Sequence, residues 1–375
     1  MLNTKIFVAN ILHSLLKILP LRNIIVFESS PDFNDSTLQI YNELKSRGFG
    51  KKYKFVWFTH NKYKGKEYNV PKNSLRRTII HYTAKCIICG NGIIYKVRKN
   101  QFSFYLTHGG PTKETRDYYY FRNEMSYLIT ISPFFVPYSA RDFRFDISKT
   151  IGLGQPRIAE LLNSKVDLKS IFGNFDKFIF WYPTFKNSTF GKIAGNGLPL
   201  PFSDKKENFN QINEFAKKNN ILIIIKLHPA QIHSDITSWG FSNIFFLNND
   251  FLKQNNLSSY GCLAKADALI TDYSSVFHDY LVCNKPICFI WDDFDLYNAN
   301  NGLNEVFTKI TSQCGAKVYT LNELCNFIEN IQLGKDENKE KRAKVFSIFY
   351  PFEELNPTKR VTDFIVEKAS LKIAK

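Results

Sequence analysis

Short, nearly unbroken apolar runs recur along the chain, each bounded by polar or turn-forming residues. One series comprises Ile24–Phe27, Phe55–Phe58, Cys86–Cys89, Phe102–Leu106 and Tyr127–Ile131. A second comprises Phe178–Tyr182, Leu222–Leu227, Ile244–Leu247, Ala268–Thr271 and Ile287–Trp291. Runs that are apolar at nearly every position read as strands buried on both faces, as in parallel sheets. The intervening segments have room for helices, so each series predicts a parallel sheet covered by helices. Gly152–Pro156 and a polar stretch reaching about Gly173 separate the series. The predicted fold is α/β, with two Rossmann-like domains and a cleft between them. The expected boundaries are 1–165 for the N-terminal domain and 166–340 for the C-terminal one. A helical segment, 341–375, is expected to pack back on the first.

The chain has 375 residues, with 50 Lys and Arg against 34 Asp and Glu, a formal net charge of +16. Such an excess calls for an anionic partner: a phosphorylated substrate, an anionic lipid surface or nucleic acid. The densest charge run, Lys335–Lys344, reads as a solvated helix. Seven cysteines in a chain this long do not form a disulfide framework. Cys86 and Cys89 have zinc-knuckle spacing, but Ile87 and Ile88 lie between them, so buried thiols are predicted. With no secretory cleavage pattern, the cytoplasm is the expected compartment.

Ile6 to Leu21 is apolar but carries Asn10, His13 and Lys17. It falls short of the roughly 20 apolar residues that span a bilayer. Val8, Ile11, Leu12, Leu15 and Leu19 share one face of a helix, which suits a helix lying in an anionic membrane interface or packed on its own domain.

Open parallel sheets bind ligands at the carboxyl ends of their strands, and four such junctions carry reactive side chains. In Leu106-Thr107-His108-Gly109-Gly110-Pro111-Thr112-Lys113, an imidazole able to accept a hydroxyl proton follows the strand directly. Two glycines there allow close approach, and Lys113 offers a charge to phosphate. In Tyr182-Pro183-Thr184-Phe185-Lys186, a strand exit leads to a threonine and a cation. In Ile225-Lys226-Leu227-His228-Pro229, strand alternation would put Lys226 and His228 on one face. In Ile270-Thr271-Asp272-Tyr273-Ser274-Ser275, a buried strand passes into serines that cap a new helix, whose free N–H groups attract an anion.

Together these strings resemble the CDP-glycerol glycerophosphotransferases, the polymerases and primases of teichoic-acid and related capsule synthesis. The resemblance runs from about Glu28 to Arg360 and continues through Asp279-Tyr280 and Asn284-Lys285-Pro286. The sequence departs from the family pattern at Gly110, Thr112, His278 and Glu354-Leu355-Asn356, and Lys186 stands where the family has Arg.

The resemblance implies a GT-B-like fold and transfer of a polyol phosphate, glycerol phosphate foremost, from a CDP-linked donor to a hydroxyl, with CMP released. It implies His108 as general base and His228 as the group bonding the transferring phosphate. Lys113, Thr184, Lys186, Lys226, Asp272, Ser274, Ser275, Asp279 and Arg360 would hold donor or phosphate. The implied partners are CDP-glycerol or CDP-ribitol, a lipid-linked or glycan acceptor, and the inner face of the cell membrane. No tightly bound cofactor or metal is expected; Asp272 and Asp279 are the carboxylates open to a divalent ion. Two other readings compete. A glycosyltransferase using a UDP- or GDP-sugar would need an acidic sugar-reading motif that the C-terminal half lacks. A non-catalytic polyanion-binding protein would account for the charge and for 35 Phe and 19 Tyr, but no nucleic-acid motif is present.

Overall fold

The structure, a computed structural model, describes residues 14–65, 67–72, 74–113, 124–187, 194–228, 231 and 235–374. The chain forms two compact units. Unit 1 is drawn from Met1–Gly110, Thr115–Ala159 and Phe352–Lys375, and unit 2 from Pro111–Glu114 and Glu160–Pro351.

Unit 1 is built on seven parallel strands: β1 (Arg22–Glu28), β2 (Lys54–Thr59), β3 (Asn69–Pro71), β4 (Ala84–Cys89), β5 (Phe102–Leu106), β6 (Tyr127–Thr130) and β7 (Thr150–Gly152). Their order is β3-β2-β1-β4-β5-β6-β7. The chain thus steps outward from β1, returns, and steps out the other way from β4, so the β1/β4 carboxyl ends form the switch point where such sheets bind ligands. On one face, Phe27, Trp57, Cys86 and Phe104 pack against Ile40, Tyr41 and Leu44 of helix Asp35–Ser46 and Val361 and Ile365 of helix Pro357–Lys368. On the other, Val26, Val56 and Ile87 pack against Ile80 of helix Leu75–Thr83. Cys86 and Cys89 are wholly buried thiols of β4, and burial pushes both upward.

Unit 2 has six parallel strands: β8 (Lys177–Tyr182), β9 (Ile221–Ile225), β10 (Ile244–Phe246), β11 (Ala268–Thr271), β12 (Ile287–Ile290) and β13 (Ala316–Val318). Their order is β10-β9-β8-β11-β12-β13, which puts the switch point between β8 and β11. Ile179, Trp181, Ile223, Ile225 and Ile270 form its core with Phe209 and Ile212 of helix Lys206–Lys218 and Leu324 and Ile328 of helix Leu321–Gln332.

Three expectations change. The run Leu222–Leu227 is not strand throughout: pairing ends at Ile225, opposite Phe246, and Lys226 to His228 is loop. The charge run is not uniformly solvated. Arg342, in helix Lys339–Phe349, is fully buried, bonding Asp336 and the carbonyls of Cys314 and Asn284. The face drawn through Val8, Ile11 and Leu12 lies outside the described residues. Residues 14–18 are helical, and there Leu16 is buried while Leu15 and Ile18 are exposed. No helix among the described residues is long and apolar enough to cross a membrane.

Candidate functional site

The first motif is divided between the units: His108, Gly109 and Gly110 belong to unit 1, and Pro111, Thr112 and Lys113 to unit 2. Each side is described within its own unit.

In unit 1 the backbone leaving β5 is tightly tied. The Thr107 N–H and hydroxyl both donate to the Ile129 carbonyl, at 3.1 and 2.9 Å, and the hydroxyl accepts from Gln155 Nε2 at 2.8 Å. His108 follows, with Nδ1 3.4 Å from the Tyr105 hydroxyl. Gly109 has φ of 150°, a value that a side chain would strain. The imidazole reaches solvent but is crowded at its base by protein, and its pKa is lowered by that burial and by the Arg157 guanidinium. Asp35 and the Gly90 carbonyl oppose the shift. A neutral imidazole at a strand end, able to take a proton, is the result. Arg157 is itself held 3.5 Å from Asp35, and its N–H donates to Ser36 Oγ.

At the unit 1 switch point stands Glu28, buried, with Oε2 accepting the Gly92 N–H at 2.8 Å. A Cβ on Gly92 would lie 2.6 Å from Glu28 Oε1, so a side chain there would displace the carboxylate. Burial raises the Glu28 pKa.

In unit 2 the motifs meet around the β8/β11 switch point. Asp272, fully buried just after β11, accepts the Thr184 N–H at 2.8 Å and the Tyr273 N–H at 2.6 Å through Oδ1. Its Oδ2 is buried without a hydrogen-bond partner. Desolvation raises the Asp272 pKa, opposed by Lys186, Thr184 and Lys113. Lys113 bridges to Leu303 in antiparallel pairing, and its ammonium lies 5.2 Å from the Tyr297 ring centroid. Desolvation pushes it down to about 8, with only Asp272 opposing. Asn304 holds the backbone of this segment, donating from Nδ2 to the Pro111 carbonyl at 2.7 Å.

The β8 and β9 exits also meet. The His228 ring packs against Phe185 with centroids 4.7 Å apart, and the Lys186 N–H donates to Gln231 Oε1 at 3.0 Å. Lys226 points elsewhere: Nζ donates to Asn249 Oδ1 at 2.9 Å beside a cavity of about 410 Å³. With the strand ended at Ile225, alternation does not place Lys226 and His228 on a common face. Pro229 lies outside the described residues.

Lys186 is 1% exposed, and its Nζ sits 2.8 Å from Asp293 Oδ2 and 3.5 Å from Asp292 Oδ1. Its charge is therefore answered within the protein. Asp293 also accepts the Tyr273 hydroxyl at 2.8 Å and the Asn196 N–H at 2.9 Å. A Cβ on Gly195 would stand 2.1 Å from Asp293 Oδ2. Desolvation raises the Asp292 pKa, Lys186 opposing.

Ser275 stands at the N-cap of helix Val276–Tyr280 but makes no side-chain cap bond; Ser274 Oγ accepts the Val276 N–H at 3.5 Å. Five residues make a weak dipole, so any anion held there depends on the serine hydroxyls and local N–H groups more than on a macrodipole. Asp279 is fully buried and accepts the Tyr260 hydroxyl at 2.6 Å, which makes it an anchor for that helix. Arg360 belongs to unit 1. It donates to the Leu153 and Glu354 carbonyls and stacks 3.7 Å from the Phe352 centroid. Among the described residues, no group of three or more His, Cys, Asp or Glu side chains is disposed to hold a metal ion.

The family model described as CDP-Glycerol:Poly(glycerophosphate) glycerophosphotransferase matches residues 11–367. The chain belongs to this family. A glycerophosphotransferase-family relative, the teichoic acid glycerol-phosphate primase of Bacillus subtilis, is 32% identical over 41% of this chain and 35% of its own length. The teichoic acid poly(ribitol-phosphate) polymerase of Bacillus spizizenii is 25% identical over 79% of this chain and 49% of its own. The chain thus spans about a third to a half of these two relatives. Among solved structures, the wall teichoic acid polymerase TagF superimposes with a TM-score of 0.73 at 17% identity, covering 98% of this chain and 97% of that one. The glycerophosphotransferase fold seen here is accordingly the GT-B-like one, two parallel α/β sheets.

Glu28, Asp35 and Arg157 in unit 1, and Tyr273, Asp292 and Asp293 in unit 2, were not singled out from sequence. Glu28 closes β1, and Asp292 and Asp293 fall directly after the predicted strand Ile287–Trp291. The strand-end rule applied evenly finds all three; nothing local marks the others.

Proposed function

We propose that the protein transfers a polyol phosphate, glycerol phosphate or ribitol phosphate, from a CDP-linked donor to a hydroxyl of a teichoic-acid-like acceptor. The acceptor oxygen forms a bond to the donor's β-phosphorus, and the bond from that phosphorus to the bridging oxygen breaks. CMP leaves with the bridging oxygen, and a phosphodiester results. His108 takes the hydroxyl proton, a role that its lowered pKa suits because the ring is neutral at pH 7. His228 donates a hydrogen bond to the transferring phosphate, and Lys113, Ser274 and Ser275 hold the diphosphate. Thr184 and Asp272 shape the donor floor, while Lys186 and Asp279 support it from within unit 2; Arg360 braces the backbone at Leu153 in unit 1. Lys226 lines the flanking cavity and contributes from there.

The observation that carries this reading is the meeting of three motifs at the unit 2 switch point: Thr184 bonded to Asp272, with Lys113 facing the same carboxylate. The family's description supports the CDP-linked donor, and the relatives' names support a transferred glycerol or ribitol phosphate. The enzyme is placed at the inner face of the cell membrane, meeting a lipid-linked or glycan acceptor there, consistent with a formal charge of +16. The test is a panel of CDP-glycerol, CDP-ribitol, UDP-glucose and GDP-mannose, with an acceptor oligomer and chromatography of the released nucleotide. CMP from a CDP-polyol is expected. UDP or GDP release, or none from any donor, would sink the proposal.

A further inference from the structure

The carboxyl edge of the unit 1 sheet carries a second histidine besides His108. Pairing aligns Phe58 of β2, Glu28 of β1, Cys89 of β4 and Tyr105 of β5 in one row. His60 follows that row by two residues and His108 by three, so both stand on the same edge. Three inter-strand spacings separate β2 from β5, about 14 Å at the usual distance between neighbours.

A buried carboxylate holds His60. Asp32, in the loop leaving β1, accepts the His60 N–H through Oδ2 at 3.0 Å, and its Oδ1 lies 2.9 Å from ring nitrogen Nδ1. The Tyr63 hydroxyl donates to Oδ2 at 2.9 Å. The Asp32 side chain is 3% exposed and that of His60 42%. Phe33, next to Asp32, has φ of 59°, a left-handed value that strains a bulky residue. Its ring packs on Trp57 and Tyr63, which holds the loop that delivers Asp32.

A carboxylate accepts and does not donate, so Nδ1 carries its proton toward Asp32, and the neutral ring presents its lone pair at Nε2. Nε2 makes no hydrogen bond among the described residues. A brace between the exits of β1 and β2 needs no imidazole, because the His60 N–H already makes that link. What the ring bond adds is the aim of an exposed nitrogen.

Charge decides what this nitrogen meets. Glu28 interacts with His60, and Arg77 answers both Glu28 and Asp32. The Arg77 guanidinium is itself engaged, 4.2 Å from the Phe58 ring centroid and bonded to the Thr59 carbonyl. Two carboxylates against one guanidinium disfavour a phosphate. A hydroxyl is neutral and donates, which suits Nε2. A single polyol held at His108 is too short to cross three strand spacings, whereas a second unit joined through a phosphodiester reaches.

We propose that His60, aimed by Asp32 and Tyr63, is a subsite for a hydroxyl of the acceptor's second polyol unit, counted back from the hydroxyl that attacks at His108. The inference rests on the transfer reading above, which makes His108 the point of attack, and adds acceptor length to it as a source of specificity.

The test uses the full chain, CDP-glycerol and two synthetic acceptors that carry one or two glycerol phosphate units on the same soluble aglycone. Initial rates of CMP release give kcat and KM for each. In wild type the two-unit acceptor is expected to have a KM about fivefold lower, the worth of one net hydrogen bond. In His60→Ala the two KM values should converge on the one-unit value, the effect lying in KM and not in kcat, with an unchanged melting temperature. A wild type indifferent to acceptor length, or an advantage that survives in His60→Ala, would overturn the subsite. Equal losses on both acceptors would make the residue a structural link and overturn it as well. If neither acceptor yields CMP, the transfer reading falls, and calorimetry of the two acceptors without donor judges the subsite by the same difference in affinity.

Discussion

The Thr184 N–H donates to Asp272 Oδ1 at 2.8 Å, tying the exit of β8 to the exit of β11 at the point where the sheet reverses its order. The same oxygen accepts from the Tyr273 N–H. Replacing Asp272 with Ala strands two buried donors, each costing about 1–3 kcal/mol. We expect Asp272→Ala to lower unfolding free energy by at least about 2 kcal/mol and to abolish donor binding, whereas Asp272→Asn, which keeps the acceptor oxygen, retains most of the stability. Urea titration and donor calorimetry on both variants check this; a stable Ala variant with normal affinity would refute it.

His108 is predicted to act as a base. His108→Ala should lose about 10²–10⁴ in turnover with an unchanged circular dichroism spectrum and melting temperature. Because its pKa lies below the ordinary histidine value, the acid-side decline in rate should have its midpoint below about 6.5. A rate already halved at pH 6.5 would point to a different base.

Lys113 sets the alkaline side. A lysine pushed down to about 8 carries its charge below that pH and loses it above. Donor affinity should therefore weaken as pH rises through about 8, well before an ordinary lysine titrates. In Lys113→Arg the guanidinium stays charged, so the alkaline decline should vanish. Calorimetric titration from pH 6.5 to 9.5 distinguishes the cases, and an identical decline in the Arg variant would exclude Lys113 as its source.

Lys186 is expected to matter for stability first. Lys186→Met leaves Asp292 and Asp293 without their buried cation, and breaking such a pair costs about 3–5 kcal/mol. Restoring the cluster's original net charge with Asp293→Asn in the same chain should recover a good part of that loss. If Lys186→Met instead weakens donor binding with unfolding free energy unchanged, the lysine contacts phosphate directly.

Much of this architecture can be read from sequence because buried parallel strands are written as apolar runs: all ten predicted runs correspond to strands. The three strands not predicted, Asn69–Pro71, Thr150–Gly152 and Ala316–Val318, are three residues long and edge or near-edge, too short for an apolar signature. The β9 boundary was misread because Leu227 continues the apolar pattern after pairing has stopped. For the site, strand-end position located His108, Thr184, Asp272 and His228. What each does depends on residues remote in sequence: the carboxylates facing Lys186 lie 106 and 107 positions away. Arg342 shows the same limit, since a charged run looks alike whether or not one member turns inward.

Helix Pro357–Lys368 buries Val361 and Ile365 against β1, β4 and β5, although these strands precede it by more than 250 positions. Unit 1 is thus finished only by a stretch translated after the whole of unit 2. Every strand of unit 2 has by then emerged, and its sheet can close while one face of the first still lacks its cover. Synthesis order and assembly order are inverted: of these two sheets, the one made first is sealed second.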